Sequence, residues 1–263
     1  MLSKSKHILR LARRLLQVVV VIAIAAWTYF FFIKLGRRSG SIVARSAWMR
    51  QQARRFLWAL GIEPTYLGEP PLNGVMVSNH VSYLDIIVHA ARVPLVFISK
   101  AEVAKWPVFG SLTRWAGTLL IRRELRSDVL RVAGEMPAVL NAGIVLAFFP
   151  EGTSSSGELV LPFRSPLLAP VVENGWIVTP AFLRYGLESG DGAVKDEVAY
   201  YRAETSFGPH LLNLLGKKRV RATVTYGHPQ SPGLDRKALA SRLRGEICEL
   251  GGFALEAETV ERL

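Results

Sequence analysis

One histidine and one aspartate have the residue types and the spacing of an acid–base pair. They are His80 and Asp85, in the sequence Asn-His-Val-Ser-Tyr-Leu-Asp, which directly follows a run predicted to be a buried strand. Five positions along one continuous helix would place the two side chains about 140° apart. Ser82, however, is predicted to be an N-cap residue, with Asp85 three positions later, so that the helix begins after the histidine. His80 is then free to fold back toward Asp85.

A carboxylate beside an imidazole gives the ring a defined chemical role. It keeps one ring nitrogen protonated and leaves the other able to accept a proton from a hydroxyl group. The pair of His80 and Asp85 therefore predicts a general base that works without a protein nucleophile. On this segment alone a second interpretation stays open, with Asp85 as an acid favoured by the helix dipole and His80 as a loop residue bonded to the backbone.

A second polar turn follows a strongly apolar strand predicted at residues 144–149. It reads Pro-Glu-Gly-Thr-Ser and includes Glu151, Gly152, Thr153 and Ser154. Backbone N–H groups and hydroxyls in such a turn can hold an anion or a polar head group. Because Glu151 would repel a phosphate, we expect its carboxylate to accept hydrogen bonds from the turn's own amides or to pair with a cation. A plain Ser/Gly loop is the alternative.

Composition and short motifs exclude several other classes of protein. The chain has 263 residues, half of them apolar, and one cysteine, Cys248, which excludes a disulfide-stapled scaffold and a structural zinc site. The sequence contains no Gly-x-Ser-x-Gly, which argues against a serine hydrolase. No lysine of the Walker type follows the glycines, which argues against a nucleotide-binding loop. No metal site is predicted.

Together, the two motifs resemble those of the glycerolipid acyltransferase family, which includes lysophosphatidic acid acyltransferase. The His/Asp motif is similar to one family motif, and Phe-Pro-Glu-Gly-Thr, at residues 149–153, is similar to another. Between them, the family's Gly-x-x-Phe-Ile-x-Arg block is matched by residues 117–123, with leucine in place of phenylalanine. Residues 178–182 meet the later Val-Pro-x-x-Pro block only in part. The resemblance extends from about Pro70 to Pro229.

The resemblance implies transfer of a fatty acyl chain from an acyl thioester to the free hydroxyl of a lysolipid. His80 would be the base that takes the hydroxyl proton, and Asp85 would orient its ring. Arg123 and the turn at Glu151–Thr153 would position the head group of the acceptor. Acyl-coenzyme A or acyl-carrier protein would be the donor. Because thioesters are already activated, neither a metal nor a bound cofactor is expected.

One position departs from the family pattern and bears on the acceptor. Where an arginine commonly follows Gly-Thr, this chain has Ser154, which removes a bidentate phosphate contact. Arg164 or Lys100 would then supply the missing charge. We take lysophosphatidate, or 1-acyl-glycerol-3-phosphate, as the first candidate acceptor, with phosphatidic acid as the product. The run Pro-Glu-Gly-Thr-Ser-Ser, followed by Leu-Pro-Phe-Arg-Ser, is also similar to the branch that acylates lyso-ornithine lipids, whose head group is an amino acid.

Two functions of other kinds remain as alternatives. A non-catalytic module that binds lipid at a membrane surface would not need His80 or Asp85. A lipid hydrolase would release fatty acid to water with no acceptor lysolipid present.

Alternating strand and helix patterns beyond residue 61 predict the framework that positions these groups. Residues 63–263 are predicted to form one α/β acyltransferase domain, with a mixed, largely parallel sheet flanked by helices. Ligands of such sheets bind beyond the carboxyl ends of the strands, where both polar turns fall. The predicted strands are 74–78, 95–99, 144–149, 177–183 and 220–226, and the predicted helices are 83–91, 129–141 and 237–248.

Residues 1–62 carry all of the excess positive charge, with twelve Lys and Arg and no acid, whereas the remainder has 21 of each sign. Their apolar segment, 15–33, would measure about 28 Å as a helix, close to the hydrocarbon thickness of a bilayer. This run is longer than that of a cleaved signal peptide. An amphipathic segment, 41–60, follows it. We therefore predict membrane-anchoring helices, and no nucleic acid as a partner.

The topology of this anchor stays open between two arrangements. Five Lys and Arg precede the apolar segment and five follow it by residue 50, so the positive-inside rule is tied. Equal basic flanks favour a hairpin that enters one leaflet and returns, with its cations on anionic lipid. A single membrane span is the alternative. We expect the catalytic domain to face the cytoplasm at the inner membrane.

Overall fold

The computed structural model describes the backbone of residues 2–253 and the side chains of residues 6–253, which contain one seven-stranded sheet. The strands are β1 (Ile62–Leu67), β2 (Val75–Ser78), β3 (Leu95–Lys100), β4 (Leu119–Ile121), β5 (Val145–Phe148), β6 (Val178–Leu187) and β7 (Val220–Tyr226). The helices are α1 (Leu2–Thr28), α2 (Ile42–Leu60), α3 (Leu84–Arg92), α4 (Phe109–Ala116), α5 (Arg126–Asn141), α6 (Ala169–Glu173), α7 (Val194–Glu197), α8 (Phe207–Gly216) and α9 (Arg236–Gly251).

The sheet has the order β1-β7-β6-β2-β5-β3-β4. Neighbouring strands run parallel, except that β6 and β7 pair antiparallel. The predicted fold, a mixed and largely parallel sheet flanked by helices, is therefore confirmed. Each predicted strand is present with its ends shifted by at most a few residues, and the sequence patterns did not predict β1 or β4.

Helices cover both faces of the sheet and enclose two apolar layers. One face packs against α1, α2, α3 and α8 and buries Met76 and Leu183. The other packs against α5, α6 and α9 and buries Val77 and Leu146. Because side chains alternate along a strand, β2 contributes to both layers. The central strands are thus apolar on both faces, as expected of parallel strands in an α/β fold.

Helices α1 and α2 form an antiparallel hairpin that packs on the first of these faces. At one end, Thr28 Oγ1 accepts a hydrogen bond from Trp48 Nε1 at 3.0 Å. At the other end, the guanidinium of Arg14 lies against Gly61. Ser41 caps the start of α2 by accepting a backbone N–H, and Gly61 ends it in the left-handed conformation. Ordinary capping interactions therefore explain where α2 begins and where it ends.

Arg14 joins the first helix to the body of the domain. Its side chain is 5% exposed and donates hydrogen bonds to the carbonyl oxygens of Leu215, Lys217 and Lys218, at 3.3, 2.7 and 3.1 Å. These carbonyls lie at the end of α8, where C=O groups lack intrahelical partners and the helix dipole favours a cation. The buried charge is thus compensated by the helix end that it caps.

Replacing Arg14 by methionine is expected to weaken the attachment of α1, because the end of α8 loses charge-assisted hydrogen bonds. We expect the free energy of unfolding to fall by about 2–3 kcal/mol. Arg13→Met changes the neighbouring residue, which is exposed, and should alter stability by no more than about 0.5 kcal/mol. Denaturant unfolding of both variants in one detergent measures the difference, and equal stabilities would show that Arg14 does not hold the helix.

The connecting end of the hairpin exposes apolar side chains. Residues 29–35 continue α1 as a π-helix, and the helix from Lys6 to Leu35 is long and apolar enough to cross a membrane. Val18 and Val21 are nevertheless buried against the domain, so one side of this helix belongs to the protein core. The exposed apolar side chains at this end are Trp27, Phe30, Phe31, Phe32 and Leu35.

The division of the chain into residues 1–62 and 63–263 stays a prediction. The hairpin packs onto the α/β layers, so both parts share one apolar core. Residues 254–263 of the predicted acyltransferase domain lie outside the described residues.

Candidate active site

The ends of β2 and β5 place the two polar turns side by side. These strands are parallel neighbours, so the segments that follow them leave the sheet at the same edge. The backbone N–H of Ser155 donates to the carbonyl oxygen of His80 at 2.8 Å. The backbone N–H of His80 in turn donates to Glu151 Oε1 at 2.8 Å. Two motifs that are distant in sequence therefore form one site.

His80 and Asp85 are hydrogen bonded, with His80 Nδ1 2.7 Å from Asp85 Oδ2. The same oxygen accepts the backbone N–H of Val81 at 2.7 Å and of Ser82 at 3.1 Å. The carboxylate thus reaches back over the start of α3, which begins after the histidine, at Leu84. The prediction that Ser82 caps this helix is wrong, because Asp85 takes the amides and Ser82 Oγ has no partner among the described residues.

The imidazole ring of His80 is also held by an aromatic stack. Phe149 lies parallel to it, with ring centroids 4.1 Å apart and an interplanar angle of 5°, and Phe97 stacks on Phe149. The side chain of His80 is 20% exposed, whereas that of Asp85 is fully buried. Because Asp85 occupies Nδ1, Nε2 is the ring nitrogen that no described residue bonds. The hydrogen bond and the aromatic stack together fix the orientation of the ring.

Glu151 connects the two motifs from within the protein. It is 3% exposed, and its oxygens accept the backbone N–H of His80 at 2.8 Å and of Leu161 at 3.2 Å. The carboxylate accepts amide bonds as expected, although the amides belong to neighbouring segments and not to its own turn. Each oxygen therefore accepts one amide hydrogen bond, and the predicted contact of Glu151 with the head group stays a prediction. Burial raises the pKa of Glu151 to about 8, although the two amides oppose this shift.

The raised pKa of Glu151 makes stability depend on pH. A carboxyl group that keeps its proton in the folded state stabilises the fold at low pH, and this contribution is lost as pH rises from 4.5 to about 8. We expect the Tm of the wild type to fall across this range relative to that of Glu151→Gln, which does not titrate. Thermal unfolding of both proteins over the range measures this, and parallel curves would mean that Glu151 has an ordinary pKa.

Two arginines converge on Gly152 in a small pocket, which we call the arginine pocket. A Cβ at Gly152, where φ is 80°, would lie 3.0 Å from both Arg123 Nη1 and Arg164 Nε. Arg123 donates to the carbonyl oxygen of Gly152, whereas its Nε has no hydrogen-bond partner among the described residues. Burial, followed by the charge of Arg164, lowers the pKa of Arg123. No described carboxylate lines this pocket, so it suits an anion.

The other predicted head-group residues lie outside the arginine pocket. Thr153 is exposed, and Ser154 Oγ donates to the carbonyl oxygen of Tyr200. Lys100 is about half exposed at the end of β3, 3.9 Å from Glu102. None of the three predicted residues lines the pocket. Of the two cations predicted to replace the charge missing at position 154, Arg164 lines this pocket and Lys100 does not.

An apolar cavity lies between the helix hairpin and α3. Tyr83 and Leu84, which closely follow His80 in the chain, form part of its wall. No single sequence segment marks it, because its walls come from α1, α2, α3, α4 and α8. Its other lining residues are Val18, Trp48, Met49, Gln52, Ala53, Phe56, Leu60, Ile86, Ile87, Ser99, Val103, Trp106, Phe109, Leu112, Thr113, Ala116, Thr118 and Leu211.

Two further residues support the His–Asp pair. The side-chain amide of Asn79 donates to the carbonyl oxygen of Leu183 at 2.9 Å and accepts its N–H at 2.7 Å. The hydroxyl of Tyr185 donates to Asp85 Oδ1 at 2.8 Å. The motif pointed to Asn79 but not to this role, and no sequence signal marks Tyr185, which lies 100 positions from Asp85.

The chain is similar to known acyltransferases in sequence and in fold. The family model named Acyltransferase matches residues 69–184. A lyso-ornithine lipid O-acyltransferase from Pseudomonas aeruginosa is 34% identical over 266 residues, which cover 99% of each chain. A 1-acyl-sn-glycerol-3-phosphate acyltransferase from Neisseria gonorrhoeae is 38% identical over 128 residues, or 48% of this chain and 50% of that protein. The crystal structure of the 1-acyl-sn-glycerophosphate acyltransferase from Thermotoga maritima has a TM-score of 0.65 at 18% identity, over 97% of this chain and 100% of that one.

The chain belongs to the Acyltransferase family, since a relative matches it over nearly its whole length. Within that family, the relatives named above are acyltransferases of lysolipids. The family predicted from the His/Asp and Pro-Glu-Gly-Thr motifs is confirmed, and the solved structure shares its fold. The apolar N-terminal helix and the lipid substrates named for the relatives indicate association with a membrane.

Proposed function

We propose that the protein moves a fatty acyl chain from an acyl thioester to the free hydroxyl of a lysolipid, with His80 as general base. The observation that carries this proposal is the hydrogen bond between His80 Nδ1 and Asp85, which leaves Nε2 unoccupied. The apolar cavity and the arginine pocket lie against residues of the same two motifs. A base, a place for an acyl chain and a place for an anionic head group therefore adjoin one another.

The reaction needs one proton to move from the acceptor hydroxyl to His80 and then to the sulfur of the leaving thiolate. His80 Nε2 accepts the hydroxyl proton as the acceptor oxygen attacks the thioester carbonyl carbon. The tetrahedral intermediate then expels the thiolate, and the imidazolium returns the proton to this sulfur. The products are an ester and a free thiol, and no protein group is acylated. Asp85 holds the Nδ1 proton and stabilises the imidazolium, so the step needs neither a metal nor a bound cofactor.

The apolar cavity fits the acyl chain of the donor. Its lining is almost wholly apolar, as expected of a site that takes a fatty acyl chain. Tyr83 and Leu84 belong both to its wall and to the segment that follows His80, so one wall of the cavity lies three residues along the chain from the imidazole. Acyl-coenzyme A and acyl-carrier protein present the same thioester, and either serves as donor in this mechanism.

The arginine pocket fits an anionic group on the acceptor. Two converging guanidiniums suit a carboxylate or a phosphate, which they bind with charge-assisted hydrogen bonds. We take lyso-ornithine lipid as the preferred acceptor, because the relative with that name matches this chain from end to end. Ser154, in place of an arginine, also favours it. Lysophosphatidate, the first candidate from the motifs, becomes the second, supported by a relative that matches half of the chain.

The helix hairpin fits the surface of a membrane that contains anionic lipid. Its connecting end exposes apolar and aromatic side chains. A groove beside this end is lined by Phe32, Trp48, Arg50 and Arg54, and by no carboxylate among the described residues. Apolar insertion together with attraction of arginines to lipid phosphates is the usual basis of interfacial binding. In this proposal the hairpin enters one leaflet on the cytoplasmic side of the inner membrane.

Purified protein in detergent micelles with a radiolabelled acyl thioester tests the function. Parallel reactions contain lyso-ornithine lipid, lysophosphatidate or no acceptor. We expect labelled diacyl lipid only with an acceptor, and faster with lyso-ornithine lipid. Labelled fatty acid without acceptor would indicate a hydrolase, and binding of lipid without turnover would indicate a non-catalytic module. Equal or faster turnover of lysophosphatidate would reverse the order of the two acceptors.

The same assay tests the arginine pocket. Arg164→Met is expected to raise the KM for the lysolipid about 10- to 100-fold, because a charge-assisted hydrogen bond is lost. Its KM for the thioester should stay within about twofold, since the donor binds elsewhere. Arg126→Met removes an exposed arginine outside the pocket and is the control. If both variants raise the lysolipid KM equally, the effect is one of general charge and not of the pocket.

A further inference from the structure

Tyr185, on β6, completes the hydrogen bonding of Asp85. Its hydroxyl donates to Oδ1 at 2.8 Å, whereas the bonds from His80, Val81 and Ser82 all reach Oδ2. Tyr185 is 6% exposed and Asp85 is 0% exposed, so water does not compete for this contact. Burial, with the charge of Asp85, raises the pKa of Tyr185 well above its usual range. The phenol therefore stays protonated and remains a donor.

The sheet positions this hydroxyl through Asn79. Pairing between β2 and β6 ends at Ser78 and Ala181, and the side chain of Asn79 continues it by bonding both backbone groups of Leu183. Tyr185 lies two residues beyond Leu183 and on the same face of the strand. Asn79, which precedes His80 in the motif, thus fixes the part of β6 that carries Tyr185.

We propose that Tyr185 is a positioning residue for acyl transfer, which acts through Asp85 to hold the imidazole of His80 in its reactive orientation. This inference rests on the proposed function, because it assigns a role in that reaction. In this proposal Tyr185 contacts neither the thioester nor the lysolipid. Its hydroxyl fixes one carboxylate oxygen so that the other faces Nδ1 of His80.

The physical reason lies in the cost of leaving a buried carboxylate oxygen without a donor. Without the phenol, no other described residue donates to Oδ1, so Asp85 is free to turn toward other donors. The titratable groups around Asp85 and Tyr185 include Tyr66 and Tyr83, whose hydroxyls contact Val88 and His210. They also include His89 on the same helix as Asp85 and Glu151 on the adjoining turn. Burial lowers the pKa of His89 to about 4, so it is neutral and bonds Ser78 instead. None of these groups replaces Tyr185.

Tyr185→Phe tests the proposal, with Tyr226→Phe as its matched control. Tyr226 lies on the adjacent strand, is 5% exposed, and its hydroxyl has no hydrogen-bond partner among the described residues. We expect Tyr185→Phe to lower kcat about 10- to 100-fold, the effect of losing a hydrogen bond to a buried charge. KM for both substrates should stay within about twofold. Tyr226→Phe should leave kcat and both KM values unchanged.

A second measurement does not depend on turnover. The Nδ1 proton of a histidine bonded to a carboxylate gives a separate downfield proton resonance, assigned here by its loss in His80→Ala. We expect this resonance to shift or broaden in Tyr185→Phe and to stay in place in Tyr226→Phe. A purely structural role would lower the Tm of Tyr185→Phe and leave kcat and the resonance of the folded protein unaltered.

The outcomes separate this inference from the proposed function. If the wild type transfers acyl chains and Tyr185→Phe matches Tyr226→Phe in both kcat and resonance, Tyr185 has no positioning role and the proposed function stands. If the loss falls on KM alone, the residue affects binding and the proposal is overturned. If the wild type transfers no acyl chain, the proposed function fails, and the resonance then shows whether Tyr185 holds the imidazole.

Discussion

Replacing His80 by alanine is expected to lower kcat for acyl transfer by about 10²–10⁴-fold, the range of a lost general base. The acceptor hydroxyl is far too weak an acid to lose its proton unaided at neutral pH, and no other described residue bonds or replaces Nε2. KM values should change little, because the apolar cavity and the arginine pocket remain. Initial rates with saturating thioester and lysolipid measure the loss.

His228→Ala is the control for this substitution. His228 is exposed and lies outside the site, so its replacement should leave turnover within about twofold of the wild type. Circular dichroism and the Tm of each variant show whether it is folded. A folded His80→Ala protein that turns over at the wild-type rate would eliminate the mechanism proposed for this site.

Asp85→Asn is expected to reduce kcat by a similar factor, about 10²–10⁴-fold. The carboxylate accepts the Nδ1 proton of His80 and two backbone N–H groups on one oxygen, and an amide nitrogen in that place would accept none of them. The imidazole would then favour the wrong tautomer and lose its orientation. The assay is the one used for His80→Ala.

A variant with both His80→Ala and Asp85→Asn tests whether Asp85 acts through His80. If Asp85 acts through His80, the protein with both substitutions should be no slower than the slower single variant, because residues that act as a unit are not additive. Multiplied losses would instead mean that Asp85 has a separate catalytic role. Asp128→Asn, which affects a buried carboxylate outside the site that bonds the exposed Arg122, controls for general effects of removing an acid.

The framework of the fold could be predicted from sequence because its central strands are apolar on both faces. β2 and β5 are buried throughout, and both appear as short apolar runs bounded by turn residues. The two strands that escaped prediction are the edges of the sheet. β1 includes Glu63 and Pro64 and is largely exposed, and β4 has only three residues. Edge strands tolerate proline and polar residues, so the alternating pattern is weakest there.

The parts of the site that could be predicted are those whose residues lie close together in sequence. The helix start that brings His80 to Asp85 follows from their spacing, although the residue that satisfies the amides is Asp85 and not Ser82. Tyr185 could not be found in this way, because the sheet order brings it to the carboxylate from 100 positions away. The burial of Glu151 and the position of Lys100 outside the arginine pocket likewise depend on long-range packing.

The sequence pattern of the N-terminal helix predicts its apolar character but not its contacts with the rest of the domain. Its charge and hydropathy indicate a membrane helix, and the helix is long enough to be one. Arg14, however, is not only a basic flank, because it is buried and caps the end of α8. A sequence pattern reports the character of a helix but not which of its charges face the protein. The hairpin is therefore part of the domain as well as its proposed contact with lipid.

The most direct test of the account is whether the acyl chain ever resides on the protein. Enzyme in molar excess is mixed rapidly with a radiolabelled acyl thioester, first without acceptor and then with lyso-ornithine lipid, for the wild type and for His80→Ala. Before acceptor is added, we expect no release of thiol and no labelled protein. After lyso-ornithine lipid is added, we expect thiol and diacyl lipid to form in equal amounts, and only with the wild type. A burst of thiol with label bound to the protein, in the absence of acceptor, would contradict the account.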